Sequence, residues 1–299
     1  MINKYKNLND YNKLLNTNII SNDIDAYVKY KKYRHIYNKL WLAESQDLPS
    51  APIGIYPNNY PIIIKPIINL FGMSRGITII NNEEEYSNFN KDGFFWEKYL
   101  TGNHYTLDII LKNGNIIFVG GFKSFKDKNG SFKYHESVEV NFKLPLEIKY
   151  WINKYLNKYT GCLNLEIIQD KYNNNYNYII EAHLRLNGDF QLYDENFVLK
   201  LSKLLNMDNY NLSDFYKYDK KYLIPIFIKK GIKKENINLK KIYQIFNEFL
   251  KDKDFKIYSL LEDDIDSKNQ SEYLNRLFIF DCNDLEKGLL LKKFILLSL

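Results

Sequence analysis

Between residues 94 and 122 three strand-length runs, 94–100, 104–111 and 115–122, follow one another with no space for a helix between them. Lys112-Asn113-Gly114 joins the second to the third and is a hairpin turn signal. Neighbours so closely linked can pair only antiparallel, because a parallel pair needs a crossover of a dozen or more residues. Two further runs, 162–168 and 176–186, are separated by a polar, Asn-rich tip and read as a second pair. Helical patterns flank these runs, so the expected class is α+β with an antiparallel sheet at its centre.

The periodicity elsewhere fills in the frame. Tyr30, Tyr33, Ile36, Tyr37, Leu40 and Trp41 recur at intervals of three and four and predict one amphipathic helix over 26–45. Leu48-Pro49-Ser50-Ala51-Pro52 ends it, since proline cannot continue the helical ladder. Residues 1–25 are polar, without a sustained period, and read as a lead-in. Residues 60–65 and 76–80 suit strands on either side of a loop, and Glu83-Glu84-Glu85 suits the start of a helix. A helix is expected over 146–159, with Gly161 as its C-cap. From 196 onward helices and strands alternate over 196–205, 222–229, 240–251, 255–261, 276–280 and 284–296.

Composition excludes several classes. Hydrophobic residues at 45% and charged residues at 26% are the balance of a globular protein, against wholesale disorder. No run reaches the roughly 18 apolar residues of a membrane span; the best, 60–71, is broken by Lys65. Two cysteines are too few for a disulfide framework or a Cys-based zinc site, and the start has no apolar secretory region, so a cytoplasmic setting is expected. The net charge of +6 is a mild excess that suits a polyanionic ligand and is too weak to demand a nucleic acid. Asn, Lys, Ile and Tyr crowd the whole chain, so a solvated surface is the default reading of any one lysine or tyrosine cluster.

The carboxylates of the second strand pair are the most informative feature. A hairpin folded about Asn173-Asn174 sets Glu166 directly across from Glu181. Strand alternation then puts Asn164 on the face of Glu166, and His183 and Arg185 on the face of Glu181. Two carboxylates facing each other across a ladder are destabilising, so a positive group is required: Arg185, a lysine or a divalent cation. Oxygen ligands completed by phosphate suit Mg²⁺. The alternative is a solvated sheet face with ordinary surface charges, and a one-residue slip would turn the faces over.

Taken together, four stretches resemble the ATP-grasp superfamily, whose members bind ATP between two α+β subdomains. Tyr60-Pro61-Ile62-Ile63-Ile64-Lys65-Pro66 is similar to the family strand whose lysine reaches the ATP phosphates. Gly72-Met73-Ser74-Arg75-Gly76-Ile77 stands where the family has a glycine-rich loop over the triphosphate, with only two glycines kept. Trp96-Glu97-Lys98-Tyr99-Leu100-Thr101-Gly102, with Thr106-Leu107-Asp108 after it, looks like the family hinge. The carboxylate hairpin is similar to the family's pair of metal-holding strands, with His183 in place of the usual asparagine.

The resemblance covers about residues 26–200, with a smaller subdomain at roughly 60–95. Residues 201–299 would complete the fold or add a small module, and at most about 25 residues stand where the family carries an N-terminal domain. It implies Lys39, Lys65, Ser74, Glu97, main-chain groups of Lys98 and Leu100, and Lys123 as nucleotide-binding residues; Lys31 and Lys32 compete with Lys39. It implies Glu166, Glu181 and His183 as metal ligands for Mg²⁺, with Mn²⁺ as the other candidate, because imidazole favours softer ions. Lys65 and Arg185 would neutralise charge on a transferred phosphoryl group.

The implied activity is that of an ATP-dependent, ADP-forming ligase that activates a small-molecule carboxylate as an acylphosphate for attack by an amine or thiol. The other reading of the resemblance is an ATP-binding module without ligase activity, a switch or scaffold for a partner protein or for a second copy of the chain. A nucleic-acid-binding role, suggested by charge and aromatic content, has no support in the motif spacing, and a membrane partner has none in the hydropathy.

Overall fold

The computed structural model describes residues 8–70, 76–127, 131–138, 142–187, 195–206, 221–229, 231–232, 234–262 and 274–299. Two sheets organise it. The smaller contains β1 (Ser50–Pro52), β2 (Ile62–Pro66), β3 (Thr78–Ile80) and β4 (Phe94–Lys98) in the order β1-β4-β2-β3. The larger contains β5 (Gly102–Lys112), β6 (Asn115–Lys126), β7 (Phe132–Ser137), β8 (Gly161–Asp170), β9 (Tyr176–His183), β10 (Tyr222–Lys229), β11 (Ile257–Glu262) and β12 (Leu274–Cys282). Its order is β11-β12-β10-β7-β6-β5-β8-β9, and every pairing in both sheets is antiparallel. The expected α+β class, with an antiparallel sheet at its centre, is the one found. β5 and β6 turn at Asn113-Gly114, both with positive φ, as a two-residue hairpin matched to strand twist requires.

The helices are α1 (Leu8–Leu15), α2 (Asp23–Lys29), α3 (Lys39–Glu44), α4 (Glu83–Ser87), α5 (Leu146–Tyr155), α6 (Glu195–Asn206), α7 (Leu239–Phe249) and α8 (Leu285–Leu296). The single helix expected over 26–45 is instead three pieces: α2, a 3₁₀ segment at Lys31–Tyr37, and α3. A 3₁₀ turn repeats every three residues, so over seven positions its apolar stripe imitates an α-helical one. Asn38 then restarts the chain, its side chain accepting from the Trp41 N–H at 2.9 Å. Gly161 does not cap α5, which ends at Tyr155; it opens β8. A Cβ there would come within 2.5 Å of the Tyr159 hydroxyl, so close approach, and not helix termination, requires the glycine. The short edge strand β1 lies in the stretch whose prolines signal only a stop, and β7 lies outside the expected strand runs.

Three layers position the charged residues. α5 and the 3₁₀ segment cover one face of β5, β8 and β9, where Trp151, Ile152 and Leu156 pack against Leu107, Leu163, Leu165 and Ile179. α4 covers the outer face of the small sheet through Tyr86, against Ile62, Ile64 and Trp96. Between the sheets, α3 contributes Ala43 to a cluster with Leu48, Phe95, Leu100 and Tyr178. That cluster fixes the inner face of the small sheet against the edge strand β9. Among the described residues no helix is long and apolar enough to cross a membrane, and Cys162 and Cys282 are both buried free thiols.

Candidate functional site

The register of β8 and β9 sets the centre of the site. Glu166 pairs with Glu181 and Asn164 with His183, as strand alternation about the Asn-rich tip predicts. The route differs from the expected one. The turn closes one residue earlier, pairing Asp170 with Tyr176, and a bulge at Ile180 restores the offset before Glu181 is reached. The bulge also releases the Ile180 carbonyl, which accepts from Lys65 Nζ at 3.1 Å. Gln46 secures this edge by bonding both the N–H and the C=O of Ile179, at 2.7 and 2.9 Å.

Charged and imidazole side chains from six elements converge here. Lys65 on β2 lies 2.7 Å from Glu97 on β4, both on the inner face of the small sheet and each nearly inaccessible. Lys39, the first residue of α3, lies 3.0 Å from Glu181. It is buried whereas Lys31 and Lys32 are exposed, so of the three competing lysines Lys39 is the one placed at the cluster. His104 Nε2 on β5 approaches Glu166 at 3.3 Å, and His183 Nε2 approaches Glu181 at 3.2 Å. Burial alone would raise the Glu181 carboxyl, but Lys39 and His183 outweigh it and hold it well below the usual carboxylate range. Glu97 goes the other way: burial pushes it up, and Lys65 only partly compensates.

Asp23, at the start of α2, is a site residue that sequence reasoning missed. It is 6% exposed and receives His183 Nδ1 at 2.9 Å, Arg185 Nη2 at 2.7 Å and the Tyr37 hydroxyl at 3.2 Å. Burial raises it, yet the hydrogen bond and charge of His183 and the charge of Arg185 prevail, leaving it below its ordinary value. Arg185 also donates to the Leu186 carbonyl. Its guanidinium is therefore engaged with Asp23 and the backbone. Nothing in residues 1–25 marks Asp23, because its charged partners His183 and Arg185 lie some 160 positions away.

Other expected positions fall elsewhere. Lys123 pairs with Tyr105, on the face packed toward α5, and stands over the Tyr105 and Phe125 rings, away from the carboxylates. The Lys98 ammonium is bound to Asp170 at 2.8 Å, and its main-chain N–H is given to the Pro49 carbonyl. Leu100 lies in the apolar cluster between the sheets. Ser74 lies outside the described residues. A cleft of about 420 Å³ near the hinge, lined by Pro49, Ile62, Trp96, Lys98, Tyr99 and Tyr172, opens on the outer face of β4, opposite Glu97.

Asp108 sits beneath the site. It is fully buried, accepts from Asn164 Nδ2 at 2.8 Å and from the Asn187 N–H at 2.9 Å, and burial pushes it up to about 7. Because the folded state holds this proton longer than the unfolded chain, Asp108 costs stability as pH rises from about 4 to about 7. The loss is on the order of 4 kcal/mol at most. Asp108→Asn is expected to flatten that slope, read as the difference between urea midpoints at pH 5 and pH 7.5. A variant as pH-dependent as the parent would remove Asp108 as its source.

Whether these residues suit a divalent cation depends on the donor set. Among the described residues no three His, Cys, Asp or Glu side chains are already arranged as a ligand sphere. What is present is two opposed carboxylates, each already held by basic side chains, Glu181 by Lys39 and His183 and Glu166 by His104. A divalent cation there would have to replace these partners, with its remaining positions filled by another oxyanion.

No protein-family model and no curated protein sequence matches the chain. Solved structures do match in fold. An L-amino acid ligase from Bacillus licheniformis aligns with a TM-score of 0.56 at 11% identity, over 96% of this chain and 75% of that one. A carboxyaminoimidazole ribonucleotide synthase from Aspergillus clavatus, complexed with ATP, aligns at 0.59 and 10% identity, over 89% and 75%. Biotin carboxylase from Campylobacter jejuni aligns at 0.54 and 13%, over 89% and 67%. The architecture shared with them is the ATP-grasp fold, and this chain has it.

Proposed function

We propose that the chain is an ATP-dependent ligase that activates a small-molecule carboxylate for attack by an amine or thiol. The observation that carries this reading is the convergence of Lys39, Lys65, Glu97, Glu166 and Glu181 on the space between the two sheets. Lys65 and Lys39 are the groups that would bind phosphate oxygens, exchanging part of their contact with Glu97 and Glu181 for them. Glu97, with main-chain groups of the hinge at Lys98 and Leu100, would hold the base. Mg²⁺ or Mn²⁺ held by Glu166 and Glu181 would supply the charge that phosphoryl transfer needs.

The chemistry balances without a covalent enzyme intermediate. A substrate carboxylate oxygen takes the γ-phosphoryl group, the bond to the β-phosphate oxygen breaks, and ADP leaves. The amine or thiol then displaces inorganic phosphate from the acylphosphate and loses one proton. Lys65, on a rigid strand and shielded from water, is the pre-placed positive charge for the transferring group. The ligase and synthase likeness in fold supports this reaction class.

Thermal denaturation tests the nucleotide half. With ATP and Mg²⁺ at a hundred times the dissociation constant, binding adds about 2.7 kcal/mol, a rise of roughly 4–5 °C in Tm. Glu181→Gln keeps the side-chain shape, removes one ligand charge and is expected to abolish the rise. No shift with any nucleoside triphosphate and metal would remove the proposal. Arg185 favours a second reading, because its guanidinium is tied to Asp23: an ATP-binding switch or scaffold without transfer. ADP release that depends on an added carboxylate and amine separates the two.

A further inference from the structure

The cleft of about 420 Å³ behind the hinge lies where the end of the small sheet meets the tip of the β8–β9 hairpin. It is not the space into which Lys65 and Glu97 turn. Side chains alternate along β4, so Trp96 and Lys98 line the cleft while Glu97 faces Lys65 on the other side of the strand. Tyr172, 75% exposed, lines it from the hairpin tip. A cavity of this size is in the range that takes small organic ligands.

Two independent observations say what the cleft lacks. Aromatic rings elsewhere in this chain pair readily: Trp41 packs on Trp151 and Tyr155, and Tyr159 on Tyr30 and Tyr33. Tyr60, Trp96, Tyr99 and Tyr172, the four rings lining the cleft, make no ring pair with one another or with any other described residue. The second observation concerns hydroxyl groups. The Tyr60 and Thr101 hydroxyl oxygens are buried and have no hydrogen-bond partner among the described residues. Neighbouring polar groups of the wall are matched within the chain. The Lys98 N–H donates to the Pro49 carbonyl, the Tyr99 N–H to the Pro61 carbonyl and Trp96 Nε1 to the Ile55 carbonyl, while Lys98 Nζ holds Asp170. A buried hydroxyl left unpaired is costly and uncommon, and here two belong to the lining of one cavity.

We propose that this cleft is a second ligand site, separate from the space between the sheets, for a planar aromatic molecule of one or two fused rings that carries a hydrogen-bonding group. Unpaired rings on the walls favour offset or edge contacts with a flat ring. The Tyr60 and Thr101 hydroxyls, each able to donate or accept, supply the polar recognition. Because the walls come from both sides of the hinge, an occupant would tie the small sheet to the hairpin that carries Glu166 and Glu181. The inference stands apart from the nucleotide reading, since none of its lining side chains faces Lys65.

The test titrates the full chain with phenol, indole and cyclohexanol, followed by saturation transfer to the probe's proton resonances. Phenol and indole are expected to bind. Cyclohexanol keeps the hydroxyl but is neither flat nor aromatic, and should bind at least tenfold more weakly. Tyr172→Ala, a change at an exposed side chain, should weaken phenol about fivefold or more through lost stacking. Thr101→Val keeps the side-chain shape and should weaken phenol about threefold. It should leave Tm unchanged or higher, because the hydroxyl it removes has no partner to strand. Saturating ATP and Mg²⁺ should leave phenol bound. Equal binding of phenol and cyclohexanol, phenol affinity unchanged in both variants, or displacement of phenol by ATP overturns the inference. A Tm lowered by several degrees in Thr101→Val would show that the hydroxyl serves the fold and overturn its assignment to the ligand. If ATP with Mg²⁺ raises Tm and no ring probe binds, only this inference fails. If phenol binds as expected and no nucleotide shifts Tm, it stands and the ligase reading falls.

Discussion

Lys65→Ala is expected to destabilise the fold by about 3–5 kcal/mol as well as to abolish stabilisation by ATP, because breaking one side of a buried ion pair strands the other. The side chains of Lys65 and Glu97 are 5% and 4% exposed and 2.7 Å apart. The Lys65 ammonium also bonds the Ile180 carbonyl and stands over the Phe95 ring at 5.6 Å, so three partners lose it at once. Glu97 is already raised by burial with the lysine in place. Without it the folded state holds the Glu97 proton to still higher pH, and the variant loses stability as pH rises from the unfolded carboxyl value. Lys65→Met with Glu97→Leu removes both charges and should recover much of the loss, since a buried pair can be replaced by apolar packing at little cost. Urea denaturation of the two single variants and the double closes the cycle. A cost below about 1 kcal/mol for Lys65→Ala would class the pair with solvent-screened surface bridges and remove the buried site it is assigned to.

The residues legible in the sequence share one property: their signal is local. Lys65 stands out as a charge at the end of an apolar strand, and Glu166 and Glu181 stand out because a short hairpin reduces their pairing to a matter of register. Even there the turn and the bulge at Ile180 each moved the register by one, and only together returned Glu166 to Glu181. Asp23 was invisible because its meaning depends on His183 and Arg185, some 160 positions further along the chain. Lys39 could not be told from Lys31 and Lys32 by spacing, since the helix expected to carry all three is broken by a 3₁₀ segment that turns the first two outward. Lys123 was misleading for the opposite reason. Its position along the strand fitted, but pairing with Tyr105 places it on the helix-covered face of the sheet.

Gly102→Ala is expected to be the most damaging single methyl group that can be added at the hinge, costing more than about 3 kcal/mol. Gly102 opens β5 directly after the hinge stretch and pairs with Asp170 at the end of β8. A Cβ there would lie 1.8 Å from the Gln169 carbonyl oxygen, 3.0 Å from its carbon and 3.2 Å from the Lys171 nitrogen. All three are backbone atoms, so no side-chain rotation relieves the overlap, and the strands themselves must part. The parting would begin where Lys98 holds Asp170 and where the Lys171 N–H reaches the Thr101 carbonyl. These contacts tie the small sheet to the strand that carries Glu166. Gly93→Ala is the control: its φ of +77° makes any side chain unfavourable, but no atom lies within 4 Å of the added Cβ, so only a backbone strain of about 1 kcal/mol is expected. The comparison of the two urea midpoints isolates close strand approach from backbone conformation. Equal costs would show that β5 and β8 do not meet as tightly as the Glu166 register requires, and the placement of both glutamates opposite Lys39 and Lys65 would lose its support.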